Sequence, residues 1–404
     1  MKQLEHLNTQ FNKQFNEESD QLFSCGGRFE ILGNHTDHNH GLCLASACNL
    51  EITASVKKTN ELKVYFASKG FDLDEVDLSD LKATNKEYAT SKGLIRGVAA
   101  YLKSHGYIIG GFKAYSESTI FKGAGVSSSA AFELLVGYIF NVLYNDGKIS
   151  KFELCKAGKY AENEYFGKKS GLLDQIGVGY GGVVKIDFKN IDDPLVEQIE
   201  FPFKDLHFVL VNTGGDHSNL SDLYSSIPLD MYSAAKKCGH QFLIEGNLEE
   251  LDSHKDELSE SEYLRGLHFY LENERVKTAF RAIREKDEEL FLKQINESRL
   301  SSTKYLKNMM VENHYEGSPL EACDLLLKAT ENHGAVKING GGFAGSVIAL
   351  VPSKYLSKTM EKMRQKYGNE NVVEIFVREN GPLEPTSGMD PDLRVEYAKG
   401  EKDN

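Results

Sequence analysis

The chain has 404 residues, a formal net charge of −13, and 40% apolar against 26% charged residues. These are the proportions of a globular protein that buries a full core in two domains, and so acidic a chain with no long basic run suits a nucleic-acid backbone poorly. None of the six cysteines forms a C-x-x-C pair, no apolar run approaches the ~20 residues of a membrane span, and the first residues lack a signal peptide's apolar stretch. A cytoplasmic protein with reduced cysteines, and no membrane or nucleic-acid partner, is expected.

In chain order, residues 1–24 alternate in a helical rhythm and predict a capping helix. Gly26-Gly27-Arg28 opens an irregular stretch with a short extended segment through Leu32, and Leu44 to Val56 reads as a strand. Helical spacing marks residues 92–104, and Ser127 to Tyr144 is a helix apolar on almost every side, hence buried. A further helix at 150–166 and a glycine-rich strand or hairpin from Gly177 to Phe188 follow. Asp192-Asp193-Pro194 suggests a domain change near residue 200, dividing the chain into 1–200 and 201–404. The second half predicts helices at 231–245, 260–298 and 318–332, a strand at Ala335–Ile338, a glycine turn, a strand at Val347–Val351, a helix at 353–367 and a strand at 372–377. The tail beyond Asn380 is polar and predicted to be loosely held. Helices mixed with short strands give an α+β class.

Two segments carry chemistry. In Lys122-Gly123-Ala124-Gly125-Val126-Ser127-Ser128-Ser129-Ala130-Ala131, two glycines expose backbone N–H groups just before a helix. The unpaired donors and dipole of a helix start then make an anion site. It is not a Walker A loop, since no Gly-Lys-Ser/Thr closes it. The plainer alternative is a serine N-cap, although three serines exceed what a cap requires. The second segment, Gly27-Arg28-Phe29-Glu30-Ile31-Leu32-Gly33-Asn34-His35-Thr36-Asp37-His38-Asn39-His40-Gly41, is dense in side chains that can satisfy sugar hydroxyls. A metal site from His35, Asp37, His38 and His40 and an ordinary polar loop are its alternatives.

Together the two segments resemble the galactokinases among the GHMP kinases. The family signature G-R-x-N-L-I-G-E-H-T-D-Y-N-x-G is similar to Gly27–Gly41. The motif G-x-G-L-S-S-S-A resembles Gly123–Ala130, and G-x-G-F-G-G resembles Gly340–Gly345. The resemblance implies a two-domain GHMP kinase fold, with an N-terminal ribosomal-protein-S5-domain-2-like domain and a C-terminal ferredoxin-like domain. It implies an ATP-dependent sugar 1-kinase, with galactose as the substrate, ATP and Mg²⁺ as cofactors, and a monomer or weak homodimer. A galacturonate or other galactose-like sugar kinase, or a non-catalytic galactose and ATP sensor, are the alternatives.

Residue by residue, Asp174 in Gly171-Leu172-Leu173-Asp174-Gln175 resembles the catalytic aspartate, with Arg28 beside the transferring group. Gly123, Ala124, Gly125, Val126, Ser127, Ser128 and Ser129 would cradle the ATP phosphates, and Ser129 with Glu162 would hold Mg²⁺. Asn34, His35 and Asp37 would contact the sugar. His217 and Tyr224 keep a family spacing that ends in a sugar-contacting tyrosine. The main departure is Asn34, where the family places the Glu that reaches the sugar's C6 side. Loss of that charge favours a uronic acid, since a carboxylate there would repel one at C6.

Overall fold

The computed structural model of the chain describes residues 2–214, 220–312 and 314–385. The first half runs α1 (Lys2–Phe15), β1 (Gln21–Leu32), β2 (Leu42–Lys58), β3 (Lys63–Ser68), β4 (Asp74–Asp77), α2 (Ser91–Ser104), β5 (Phe112–Ser118), α3 (Ser128–Asn145), α4 (Lys151–Ala161), α5 (Leu173–Tyr180), β6 (Val183–Asp187) and β7 (Leu195–Ile199). The second half runs β8 (Leu206–Asn212), α6 (Ser221–Lys237), α7 (Leu248–Ser253), α8 (Glu260–Glu285), α9 (Glu288–Ser301), α10 (Pro319–Ala329), β9 (Ala335–Asn339), β10 (Ser346–Pro352), α11 (Leu356–Tyr367) and β11 (Val372–Ile375).

β1 to β7 form one sheet organised by the 17-residue β2. Its first half pairs with β6, its second half with β5, and β1 lies antiparallel along most of its length. The helices α2 to α5 pack over this sheet on a core that includes Phe23, Val98, Leu134, Phe140 and Ile176. A second sheet, ordered β11-β8-β10-β9, is antiparallel throughout. The two sheets share a core in which Phe29 and Leu32 of β1 join Phe208, Leu210 and Ile348. Burying both sheets against common apolar side chains fixes β1, and the loop after it, against the second half of the chain.

Several sequence expectations are corrected. The segment from Gly26 to Leu32 is the end of a 12-residue strand, all buried from Phe23 onward, its irregularity confined to register shifts at Gly26/Arg28 and Glu30/Leu32, and α1 stops at Phe15. Gly177 and Gly179 lie in α5 and not in a hairpin. They are there for close packing, since a Cβ at Gly177 would come 3.2 Å from Arg28 Cβ and one at Gly179 2.7 Å from Cys155 Sγ. The predicted 260–298 helix is two helices. Lys286 ends α8 at φ 59°, and the Asp287 side chain caps α9 on Leu290 N–H. α6 starts ten residues earlier than its periodicity indicates and runs through Pro228. Proline removes one helical N–H, and the fully buried Ile227 and Met231 hold the helix in place across it. The first residues of the tail are tied down, because Leu383 pairs with Ser24 and the buried Arg378 bonds Ser24 and Glu51. Residues 386–404 lie outside the described residues, as does His217.

Candidate functional site

The phosphate-loop segment begins with its anchors. Ala124 and Val126 are buried at 1% exposure, so the alternating Gly123 and Gly125 face outward. Gly125 sits at φ 69°, and a Cβ there would meet Ser346 Oγ at 2.5 Å; a larger residue would push the loop off β10. The Gly125 carbonyl accepts from Arg28 Nη1 (3.0 Å) and Asn339 Nδ2 (3.0 Å), and the Val126 carbonyl accepts from Arg28 N–H (2.9 Å). Ser127 occupies the N-cap of α3 at φ 56°, and its side chain does not cap the helix. The plain N-cap alternative is therefore ruled out. The Ser127 hydroxyl turns to Asp174 instead, and the first-turn N–H groups and the Ser128 hydroxyl remain for an anion.

Arg28 reaches this loop from β1. Its Nε and Nη2 both bond Asp174 Oδ1, at 2.9 and 2.7 Å. Burial works to raise the Asp174 pKa, but Arg28, Lys168 and the Ser127 hydroxyl outweigh it and hold the carboxyl below its ordinary value. Asp174 is therefore an ionised acceptor at the mouth of the loop. Ser129 Oγ donates to Glu162 Oε1 at 2.9 Å. Glu162 is completely buried, at the start of a π-type turn that ends α4. It also accepts from Lys168 (2.8 Å), Ser170 and Gln175 (3.0 Å). Gln175 in turn donates to Glu133 Oε2 at 3.0 Å. Burial, reinforced by the charge of Glu162, drives the Glu133 carboxyl well above its usual range.

The loop after β1 is clamped by α8. Glu272 Oε1 accepts from Gly33 N–H (3.1 Å), His268 Nε2 donates to the Asn34 carbonyl (2.9 Å), and Asn273 Oδ1 accepts from Leu42 N–H (2.6 Å). Burial lowers the His268 pKa to about 4, so the ring stays neutral. The glycine turn lies opposite, and its carbonyls are capped one by one. Gly340 O takes Asn34 Nδ2 (2.7 Å), Gly341 O takes His35 Nε2 (2.9 Å) and Asn308 Nδ2 (3.0 Å), and Gly342 O takes the Tyr224 hydroxyl (2.6 Å). Asp37 sits across from Gly171, where a Cβ would come 3.2 Å from its Oδ2. Burial, then the nearby Glu30 and Asp174 carboxylates, raise the Asp37 pKa to about 6.

The structure thus brings Arg28, Asp174, the 123–129 loop, Ser129 and Glu162 together, with Asp37 near Asp174 and with His35 and Tyr224 on the carbonyls of the glycine turn. Asn34 stands apart. It is 1% exposed, both its Nδ2 hydrogens are used on Glu30 and Gly340 O, and its Oδ1 accepts from Asn308. The metal alternative for the histidine segment fails, since among the described residues no three His, Cys, Asp or Glu converge as ligands. His40 stacks on Phe242 at 3.9 Å. Sequence reasoning missed Lys168, Gln175 and Glu133. Glu133 left a signal, as an acid inside an apolar helix, and Gln175 stood beside Asp174 in the 171–175 stretch, while Lys168 left none.

A helix-start anion loop beside an arginine-bound carboxylate, set between these two sheets, defines a small-molecule phosphotransferase of the GHMP kinase class. The GHMP kinase N-terminal domain matches residues 93–182, and the galactokinase galactose-binding signature matches residues 9–58. Galactokinase of Clostridium tetani is 30% identical over 377 residues, 90% of this chain and 92% of its own. That of Streptococcus suis is 29% identical over 375 residues, 90% and 93%. The crystal structure of Lactococcus lactis galactokinase complexed with galactose superposes at TM-score 0.80, with 25% identity, covering 94% of this chain and 99% of its own. Methanococcus jannaschii mevalonate kinase shares the fold, at TM-score 0.62 and 18% identity over 90% and 98%. The chain belongs to the galactokinase family. Among the described residues no helix is long and apolar enough to cross a membrane.

Proposed function

We propose that the protein transfers the γ-phosphoryl group of ATP to the anomeric hydroxyl of D-galactose, with residues 1–200 and 201–404 as its two domains. The observation that carries the reading is the Arg28–Asp174 pair at the head of the phosphate loop.

Phosphoryl transfer depends on positioning and on neutralising charge. Backbone N–H groups of the 123–129 loop, with the Ser128 hydroxyl, bind the terminal phosphates. Arg28 offsets charge on the transferring group while its other donors hold Asp174; five fixed donors allow both. Asp174, kept ionised, orients the anomeric hydroxyl and accepts its proton, a contribution of about 10²–10⁴-fold. His35 and Asp37 present acceptors and donors to the ring hydroxyls, and Tyr224 supports that wall through the glycine turn.

Ser129 and Glu162 suit Mg²⁺. They are hard oxygen donors side by side, and this cation commonly uses one carboxylate with substrate phosphates and water. Bound there, Mg²⁺ would supply charge neutralisation on the phosphate oxygens. Lys168, Ser170 and Gln175 orient Glu162 for it.

The Asn34 side chain offers no free N–H to a ligand. A C6 carboxylate would gain no donor from it and would find the Glu30 carboxylate against it, so a neutral sugar is favoured. The intact Ser127-Ser128-Ser129 run with Arg28 and Asp174 in contact favours an enzyme over a sensor. A coupled ADP-release assay with ATP, Mg²⁺ and galactose, galacturonate, arabinose or glucose tests the proposal. Galactose should give the highest kcat/KM; a preference for galacturonate, or no turnover of any sugar, overturns it.

A further inference from the structure

Glu162 is an anion sealed inside the protein. It is fully buried, and each of its oxygens accepts two side-chain donors. Oε1 takes Ser129 Oγ (2.9 Å) and Lys168 Nζ (2.8 Å). Oε2 takes Ser170 Oγ and Gln175 Nε2 (3.0 Å). Ser129 and Gln175 are neutral and stand on α3 and α5, and Ser170 is neutral too. Among the described residues Lys168 is the one cation bonded to this carboxylate. Glu133, behind Gln175, adds no charge of its own, since burial pushes its carboxyl toward the neutral form.

Lys168 is also the donor that can leave. It lies in the irregular stretch between the π-type turn that closes α4 and the start of α5. Its backbone N–H is anchored on the Glu162 carbonyl at 3.0 Å. Its side chain is 54% exposed, against 0% for that of Glu162. A fixed backbone with an exposed, flexible four-carbon stem makes a short tethered arm. The charge on that arm also reaches Asp174 and helps to hold it ionised. The ammonium therefore lies near both carboxylates of the site, on the very oxygen that Ser129 shares.

A buried carboxylate without a partner is strongly unfavourable, so the empty site needs this lysine. A divalent cation arriving at Oε1 meets a positive charge already there. Two cations on one oxygen repel, and the half-exposed lysine has solvent to withdraw into. We infer that Lys168 is the resident counter-cation of Glu162, a positioning residue that yields the carboxylate to a divalent cation and ties metal entry to nucleotide entry. The released ammonium needs an anion, and phosphates at the head of α3 supply it. Metal and nucleotide then enter together, and the divalent cation alone binds the empty site weakly. Ser170 and Gln175 keep Glu162 in place once Lys168 has withdrawn. The inference rests on the reading of Ser129 and Glu162 as the metal site.

The test uses the full chain without nucleotide and Mn²⁺ as the probe, since carboxylate and water ligands suit Mn²⁺ as they do Mg²⁺. Read by electron paramagnetic resonance, Lys168→Met should bind Mn²⁺ about fivefold more tightly than the parent, ~1 kcal/mol. In EDTA the variant should melt below the parent, because Glu162 has lost its cation. Millimolar Mg²⁺ should restore most of that loss and leave the parent unmoved, whereas the loss of a merely structural salt bridge is not restored by metal. Equal or weaker Mn²⁺ binding by Lys168→Met overturns the inference. So does a variant that melts with or above the parent in EDTA, or a loss that Mg²⁺ leaves untouched. If Lys168→Met yields no folded protein, Lys168→Gln carries the same comparisons, keeping a donor for Glu162 and losing the charge. Glu162→Gln, in both backgrounds, is the control. It should abolish the Mn²⁺ gain; a gain that survives places the ion elsewhere and overturns the inference. If Glu162→Gln leaves the parent's affinity for the Mg²⁺–nucleotide complex unchanged, the metal reading fails and the inference with it. If that affinity falls while Lys168→Met behaves like the parent, the metal reading stands and the counter-cation role alone fails.

Discussion

Replacing Asp37 by Asn should stabilise the protein while damaging it as an enzyme. Burial and the neighbouring Glu30 and Asp174 raise the Asp37 pKa from 3.8 to about 6. At 1.36 kcal/mol per pKa unit, the ionised form costs the fold about 3 kcal/mol, and about 1–3 kcal/mol once the partial exposure of this side chain is discounted for solvent screening. The sign follows from linkage. A carboxyl with a raised folded pKa favours folding when protonated, so its contribution is fully present below pH ~4 and is lost as pH rises through about 6. Asn cannot ionise, and its Oδ1 can still accept the local backbone N–H groups. The two proteins should therefore melt together near pH 4, diverge between pH 4 and 6, and differ by a constant amount above pH 7, with Asp37→Asn higher. At roughly 2 °C per kcal/mol for a chain of this size, the plateau is roughly 2–6 °C. Sugar affinity should fall in the variant, and the parent's sugar kcat/KM should decline below pH ~6, a limb the variant lacks. Scanning calorimetry across pH, with sugar titrations, measures both. A variant that melts at or below the parent at pH 8, or a difference independent of pH, would refute the argument.

Asp174→Asn should lower kcat by about 10²–10⁴-fold with little change in nucleotide affinity, read by ADP release and equilibrium titration. Arg28→Lys replaces a fork bound to Asp174 and Gly125 O with one ammonium. At about 1.5–3 kcal/mol per lost charged hydrogen bond, kcat/KM should fall at least tenfold even though the charge is kept. Glu162→Gln should raise the Mg²⁺ concentration needed for nucleotide binding, a shift visible by calorimetry without turnover. Glu133→Gln should melt no lower than the parent at neutral pH, because the carboxyl whose pKa burial raises is replaced by a group that needs no proton; a marked loss of Tm would show that Glu133 is ionised.

Much was legible in the sequence because it is local. The G-x-G-x-S-S-S run has to be an exposed turn before a helix, since glycine allows positive φ and the first helical N–H groups have no internal partner. The apolar period of α3 marks it as buried wherever the rest of the chain goes. Arg28 and Ser129 were assigned through two motifs that retain family form, Asp174 through the 171–175 stretch and Glu162 through its spacing from it. What failed was also local in cause. The glycines of β1 and α5 read as turns, although each is there to let another backbone or side chain approach.

Only the tertiary structure could show what Asn34 does. Its chemistry as an amide is fixed by its identity, but its partners Glu30, Gly340 and Asn308 come from different stretches of chain, and the last two lie about three hundred residues away. Read alone it is a lost charge; read in place it is an enclosed amide held between Glu30, Gly340 and Asn308. The same holds for the states of Asp37 and Asp174, which share one ordinary pKa. Burial without a cation raises the first, and Arg28 and Lys168 hold down the second. Sequence determines which groups can ionise and which backbone can turn. The fold decides which charges face each other in a desolvated cleft, where interactions weak in water become large enough to set protonation and specificity.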